Sequence, residues 1–278
     1  MVPQAFLYPL LAALALALVG WLRSPAQGKP RAWCAALAWG AALALAWLPL
    51  KGGLAPWPPK EATHWLFYGS LLAIPIAALQ GWRASLPHFL LGSLLIAAWI
   101  WFACEPLRVH EWKNADQWQQ PALLLGLGMA ALLLNSDLVR CRARGIEVSG
   151  AAGLTLGAAA YVLGQSTGAS AHLIGGLACV AAVWCALSVW RRDASVHHGS
   201  SLPFTLVLGG LLVIGVYFAR TSPRSALLLL FAPQAIRLGW PLRHYPKVAF
   251  VVSVLACAAV CGLAAWWGYE KPDPYGAW

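Results

Sequence analysis

Ten apolar runs, each about 18–22 residues long and separated by short polar loops, determine what this chain can fold into. The runs cover residues 4–22, 32–50, 64–82, 87–104, 121–138, 148–165, 170–190, 202–219, 225–242 and 247–268. About 20 mostly apolar residues in an α-helix are enough to cross the hydrocarbon core of a bilayer. We therefore predict an all-α polytopic membrane bundle of about ten transmembrane helices, with a range of eight to ten.

The composition supports lipid rather than water as the solvent around this bundle. Of the 278 residues, 60% are hydrophobic and 10% are charged, whereas soluble domains carry about 25% charged residues. A chain with so few charges cannot cover a water-exposed surface. The apolar runs account for most of the length, so we expect no soluble domain.

The basic character of the chain is an orientation signal. The formal net charge is +10, but the basic residues stand in short loops, so nucleic acid is not an expected partner. With the amino terminus outside, 12 of the 19 Lys and Arg residues fall in inside loops. These are Arg23, Lys29, Arg31, Arg83, Arg140, Arg142, Arg144, Arg191, Arg192, Arg237, Arg243 and Lys247. We predict a bacterial-type inner membrane with both termini outside.

Ten runs divide into two halves of five, residues 1–145 and 146–278. An odd number of spans in each half would relate the halves by inversion, as in many transporters. The segments 131–140 and 228–237 share an apolar run, a polar centre and a closing arginine. They occupy non-equivalent positions, so they do not establish a repeat.

The stretch from Ser225 to Lys247 breaks the pattern of a plain span. Its apolar start is interrupted by Pro233, Gln234 and Arg237. A proline inside a helix frees the carbonyl four residues earlier, here that of Leu229, and kinks the helix. We predict a short, kinked span with a basic cap, and an exposed carbonyl of this kind can coordinate a cation or a substrate.

Few polar side chains fall inside the runs, and they are the candidate cavity-lining or substrate-binding residues. They are Arg237, Asp137, Gln234, Asn135, Pro233 and Gln165. Charges in hydrocarbon are costly unless they are paired or hydrated. We hypothesise that Asp137 and Arg237 pair in the cytoplasmic half or face a common cavity. The alternative is that each reaches the cytoplasmic headgroups separately.

Glycines reduce the side-chain bulk of two of the runs. Gly126 and Gly128 lie in the fifth run, and Gly209 and Gly210 lie in the eighth. Close helix packing is the expected role of these glycines, ahead of a substrate path.

The sequence indicates no catalytic residue, no metal site and no cofactor. Most of its 7 cysteines lie within apolar runs, where cysteine packs as a small hydrophobe. There is no phosphate-binding glycine loop, no His-Glu-x-x-His and no haem-type histidine pair. These absences lower the expectation of an enzyme.

Three functional classes stay open on the sequence alone. The best guess is a small-solute permease, because the span count, short loops and interrupted ninth run fit one. The alternative is a non-catalytic scaffold subunit of a membrane complex, and an intramembrane enzyme is third. The bilayer is the expected partner, and a membrane-protein partner or a second copy of the chain is compatible with each class.

An even span count predicts that the two termini lie on the same side of the membrane. Fusion of a side-sensitive reporter to each terminus should give the same response at both ends, typical of the outside. Reporters on opposite sides would refute ten spans.

Overall fold

The structure is a computed structural model that describes residues 2–22, 32–79, 85–112, 115–140, 145–190, 199–242 and 244–269. Within these residues every predicted run is helical and no strand occurs. The helices are α1 (Val2–Leu22), α2 (Ala32–Lys51), α3 (Ala62–Ala78), α4 (Ser85–Ala103), α5 (Glu105–His110), α6 (Asp116–Arg140), α7 (Gly145–Gly164), α8 (Gly168–Trp190), α9 (Ser201–Ala219), α10 (Pro223–Phe231), a 3₁₀ helix (Ala232–Leu242) and α11 (Pro246–Tyr269).

The prediction of a helical membrane bundle is confirmed. In the described part of the chain, eight helical segments are long and apolar enough to cross a membrane. The helices α1 and α3 carry shorter apolar stretches, Pro3–Val19 and Ala62–Ala78. The segments 146–164 and 223–242 have the lowest mean hydropathies of the eight, 1.4 and 1.2.

Helix α9 is the most enclosed element of the bundle. Almost every side chain between Ser201 and Gly215 is buried, and α9 packs against α2, α3, α6, α7 and α10. Helix α8 packs on α1, α2 and α7, and α11 packs on α7 and α10. Helices from the two predicted halves therefore interlock, and the division near residue 145 stays a prediction.

The ninth run forms one element in two parts. Helix α10 ends at Phe231, and an 11-residue 3₁₀ helix continues from Ala232 to Leu242. Pro233 has no N–H to continue the α-helical pattern. The Leu229 carbonyl accepts a hydrogen bond from the N–H of Ala232 instead. The prediction of an exposed Leu229 carbonyl is therefore wrong, because the tighter winding satisfies it.

The predicted shortness of this span is wrong for the same reason. A 3₁₀ helix rises about 2.0 Å per residue, and an α-helix about 1.5 Å. The combined segment Pro223–Leu242 has 20 residues, so it is about 35 Å long. That length crosses a hydrocarbon core of about 30 Å.

Three residues per turn give the 3₁₀ helix three distinct faces. One face carries Pro233, Ile236 and Gly239, which are all buried. The face beside it carries Gln234, Arg237 and Trp240, which are partly buried. The third face ends in the exposed residues Leu238 and Pro241.

The buried face lies directly on α11. The Ser253 hydroxyl donates to the Ile236 carbonyl at 2.9 Å. A Cβ atom on Gly239 would collide with the Ser253 hydroxyl and the Ala249 main chain. This close approach requires glycine at position 239 and fixes the direction in which the polar face points.

We predict that Gly239→Ala destabilises the protein by about 1–3 kcal/mol, the usual cost of overpacking. The matched control is Gly262→Ala on α11, where an added Cβ meets open space. Thermal and denaturant unfolding of both variants in one detergent measures the difference. Equal stability of the two variants would contradict the close approach.

Candidate functional site

The candidate residues converge where the end of α6 meets the polar face of the 3₁₀ helix. Asn135 and Asp137 come from α6, and Gln234 and Arg237 come from the 3₁₀ helix. We call this end of the bundle, where α6 ends and α9 begins, the arginine-rich end, after the arginines at positions 140, 142 and 144. Asp137 lies three residues before the end of α6.

Asp137 and Arg237 form an ion pair. The Arg237 Nη2 atom lies 2.8 Å from Asp137 Oδ2 and 3.3 Å from the Leu134 carbonyl oxygen. The guanidinium also lies 5.1 Å from the centre of the Trp240 ring, within cation–π range. The Arg237 side chain is 29% exposed, and the Asp137 side chain is 54% exposed. Such exposure limits the pair to about 0–1 kcal/mol.

A pair of hydrogen bonds, one part-buried and one buried, lies further into the bundle. The Gln234 amide nitrogen donates to Asn135 Oδ1 at 2.8 Å. The Asn135 amide nitrogen donates in turn to the Thr205 hydroxyl oxygen on α9 at 2.9 Å. Ser136 donates to Ser201, also on α9, at 3.2 Å. These bonds hold three helical elements together in a low-dielectric setting.

Asp137, Arg237, Gln234, Asn135 and Thr205 together form what we call the polar ladder. It runs from an exposed carboxylate to a hydroxyl that is 2% exposed. Two of its atoms, Gln234 Oε1 and Arg237 Nε, are buried and have no hydrogen-bond partner among the described residues. The ladder is therefore not fully satisfied within the described chain.

Pro233 is buried on the neighbouring face of the 3₁₀ helix. With Asn135 and Ser201 it borders a small cavity of ≈ 30 Å³, about the share of volume of one water molecule. Pro233 shapes the backbone beside the ladder, and the Leu229 carbonyl that it was expected to free accepts from the Ala232 N–H.

Gln165 does not join these residues. It is exposed in the turn that follows α7, and α7 runs away from the arginine-rich end for 20 residues. The separation along that helix is about 30 Å. The ladder therefore includes four of the six candidates, Pro233 borders it, and Gln165 lies at the opposite end of the bundle.

A larger cavity begins where the ladder ends. It has a volume of ≈ 170 Å³ and lies between α4, α6, α9 and α10. Thr205 belongs both to the ladder and to the wall of this cavity. Gly128, Gly209 and Gly210 also line it, and a Cβ atom added to Gly128 would collide with Ile96, so Gly128 serves the close packing expected of it. Gly210 additionally packs tightly against Leu66 and Trp99.

Sequence reasoning missed Thr205 and Trp240. Thr205 is a single hydroxyl inside a strongly apolar run and gives no signal by itself. Gln234, Arg237 and Trp240 recur every three residues, which would have indicated a shared face had a 3₁₀ helix been considered.

The described residues contain no group of three or more His, Cys, Asp or Glu side chains placed to hold a metal ion. The arrangement can hold three helical elements together and can offer hydrogen bonds and one arginine to a solute. No protein-family model matches the chain, and no curated protein matches it.

We predict that the buried amide matters more for stability than the ion pair. Asn135→Ala removes two hydrogen bonds and leaves the buried Gln234 amide without partners, so it should cost about 1–3 kcal/mol. Asp137→Asn keeps an acceptor beside Arg237 and should cost at most about 1 kcal/mol. Unfolding in one detergent compares them, and a larger loss for Asp137→Asn would reverse this ranking.

Proposed function

We propose that this chain is a transporter-like permease of a bacterial-type inner membrane, with the polar ladder as its gate. The observation that carries the proposal is the two-part span: a 3₁₀ helix presents its polar face to α6 directly above a cavity. Interrupted spans with polar groups at the interruption are the usual solute sites of membrane transporters.

The strength of the ladder suits a gate. Its two neutral hydrogen bonds and its half-exposed ion pair together contribute roughly 1–4 kcal/mol. An opening cost of this size leaves a minor open state populated at about 0.1–10%. A solute that binds the open state preferentially would then shift the population.

The positive-inside rule assigns the arginine-rich end to the cytoplasm. The ladder then closes the cavity on its cytoplasmic side, and both termini lie outside. Separation of the 3₁₀ helix from α6 would expose Thr205 to the cytoplasm.

A scaffold subunit is the second candidate, and one observation favours it. The ladder region is tightly packed, and the cavity beside it is only ≈ 30 Å³. A protein that never opens there would act through its surface instead.

Cysteine accessibility distinguishes these two functions. Thr205→Cys in a cysteine-free background is treated with a membrane-impermeant thiol reagent in inside-out and right-side-out vesicles. We expect slow labelling from the cytoplasmic side, and a rate up to about five-fold faster when Asp137→Asn weakens the ladder by up to about 1 kcal/mol.

The matched control is Thr155→Cys, because Thr155 on α7 is fully buried and its hydroxyl donates to the Ala151 carbonyl rather than to a ladder residue. Its labelling should not respond to Asp137→Asn. If Thr205→Cys is unreactive from both sides with and without Asp137→Asn, the permease proposal fails and the scaffold candidate gains support.

A further inference from the structure

The larger cavity has apolar walls and a lateral opening. Residues of α9 such as Gly209 and Val213 form its floor, and α6 and α10 form its sides. The residues lining it include no charged side chain. Leu123 on α6 and Leu227 on α10 stand at its sides and are 56% and 43% exposed.

The surroundings of the opening determine how a ligand reaches the cavity. Leu123 and Leu227 lie within segments long and apolar enough to cross a membrane, so we expect lipid hydrocarbon outside them. A ligand enters from the bilayer, and its body must be apolar because transfer of polar groups into such walls is costly.

Three lining residues carry polar groups: the Tyr217 hydroxyl donates to Gln120, the Trp99 indole N–H is buried with no partner among the described residues, and the Thr205 hydroxyl lies at the inner end. The Thr205 hydroxyl oxygen accepts from Asn135, but its own hydrogen has no acceptor among the described residues. Other buried hydroxyls behave differently: Ser70, Thr155 and Ser188 each donate to a backbone carbonyl of their own helix. Thr205 therefore has an unused donor where the apolar wall meets the ladder.

Size and closure limit the ligand further. A volume of ≈ 170 Å³ is close to that of an engineered cavity that holds one benzene. The Gln234–Asn135 bond closes the path between α6 and the 3₁₀ helix. A two-chain phospholipid with a large headgroup at this end would not fit.

We propose that this cavity binds a small uncharged amphiphile from the bilayer, whose terminal carbonyl oxygen accepts a hydrogen bond from Thr205. The cavity holds the carbonyl end and the first few carbons beside Gly209 and Val213, and the rest of the hydrocarbon chain leaves between α6 and α10 into the bilayer. This inference deepens the proposed function by naming a solute class. It rests on that function for the path across the ladder, and binding can be tested without any transport.

The test uses photo-crosslinking of the full-length protein in nanodiscs. One probe is methyl decanoate with a diazirine on its chain, and the matched probe is an alkane of equal length with the same diazirine and no ester. Peptide mass spectrometry locates the labels. We expect saturable labelling of the lining segments of α6, α9 and α10 by the ester, with competition by unlabelled methyl decanoate.

Variants at position 205 distinguish the contribution of the hydrogen bond to ligand binding from the contribution of cavity shape. Thr205→Val should weaken the apparent affinity for the ester about five-fold, the factor expected for one neutral hydrogen bond. It should leave labelling by the alkane unchanged. Thr205→Ser keeps the hydroxyl and should retain ester affinity, and Val213→Trp should abolish labelling by both probes.

Three outcomes would overturn the inference. They are equal ester affinity in wild type and Thr205→Val, label outside the cavity, and equally strong labelling at the cavity by a two-chain phospholipid with the same diazirine. If these outcomes occur while the labelling rate of Thr205→Cys still rises with Asp137→Asn, amphiphile binding is refuted and the permease proposal is retained. Saturable ester labelling with an unresponsive Thr205→Cys would refute the gate and keep the binding site.

Discussion

Backbone hydrogen bonding in hydrocarbon is the constraint on which the rest of this structure depends. Without water, each N–H and C=O in a span needs a partner inside the protein. Pro233 removes a donor in the middle of a span, and the chain satisfies this constraint by winding more tightly over 11 residues. Runs of 3₁₀ helix longer than three or four residues are uncommon, so this one depends on its support from α11 and α6.

That support is different on each face. Toward α11 the contact is close at Gly239, where the two backbones approach, and apolar at Ile236, which shares a buried cluster with Cys257 of α11. Toward α6 the contact is polar and made by long side chains. Small residues thus set the position of the element, whereas Gln234 and Arg237 set what it binds. The apolar cavity lies just beyond the last hydrogen bond, so the two environments meet at Thr205.

Much of this organisation could be predicted from the sequence. Helix length and hydropathy are local properties, and all ten runs were located from them. The pairing of Asp137 with Arg237 could be posed as a hypothesis because both charges had to lie at a similar depth. The 3₁₀ winding could not be predicted, since a proline in a span is equally compatible with a kink. The role of Thr205 depends on which helices are neighbours, and one sequence does not provide that.

The winding has a geometric consequence for the ion pair. A 3₁₀ helix turns about 120° per residue, compared with about 100° in an α-helix. If residues 232–237 continued as α-helix, Arg237 would point about a third of a turn away from α6 and lie about 3 Å deeper. It would then lose Asp137, which is 2.8 Å away. The Asp137–Arg237 ion pair therefore requires that residues 232–237 are wound as a 3₁₀ helix.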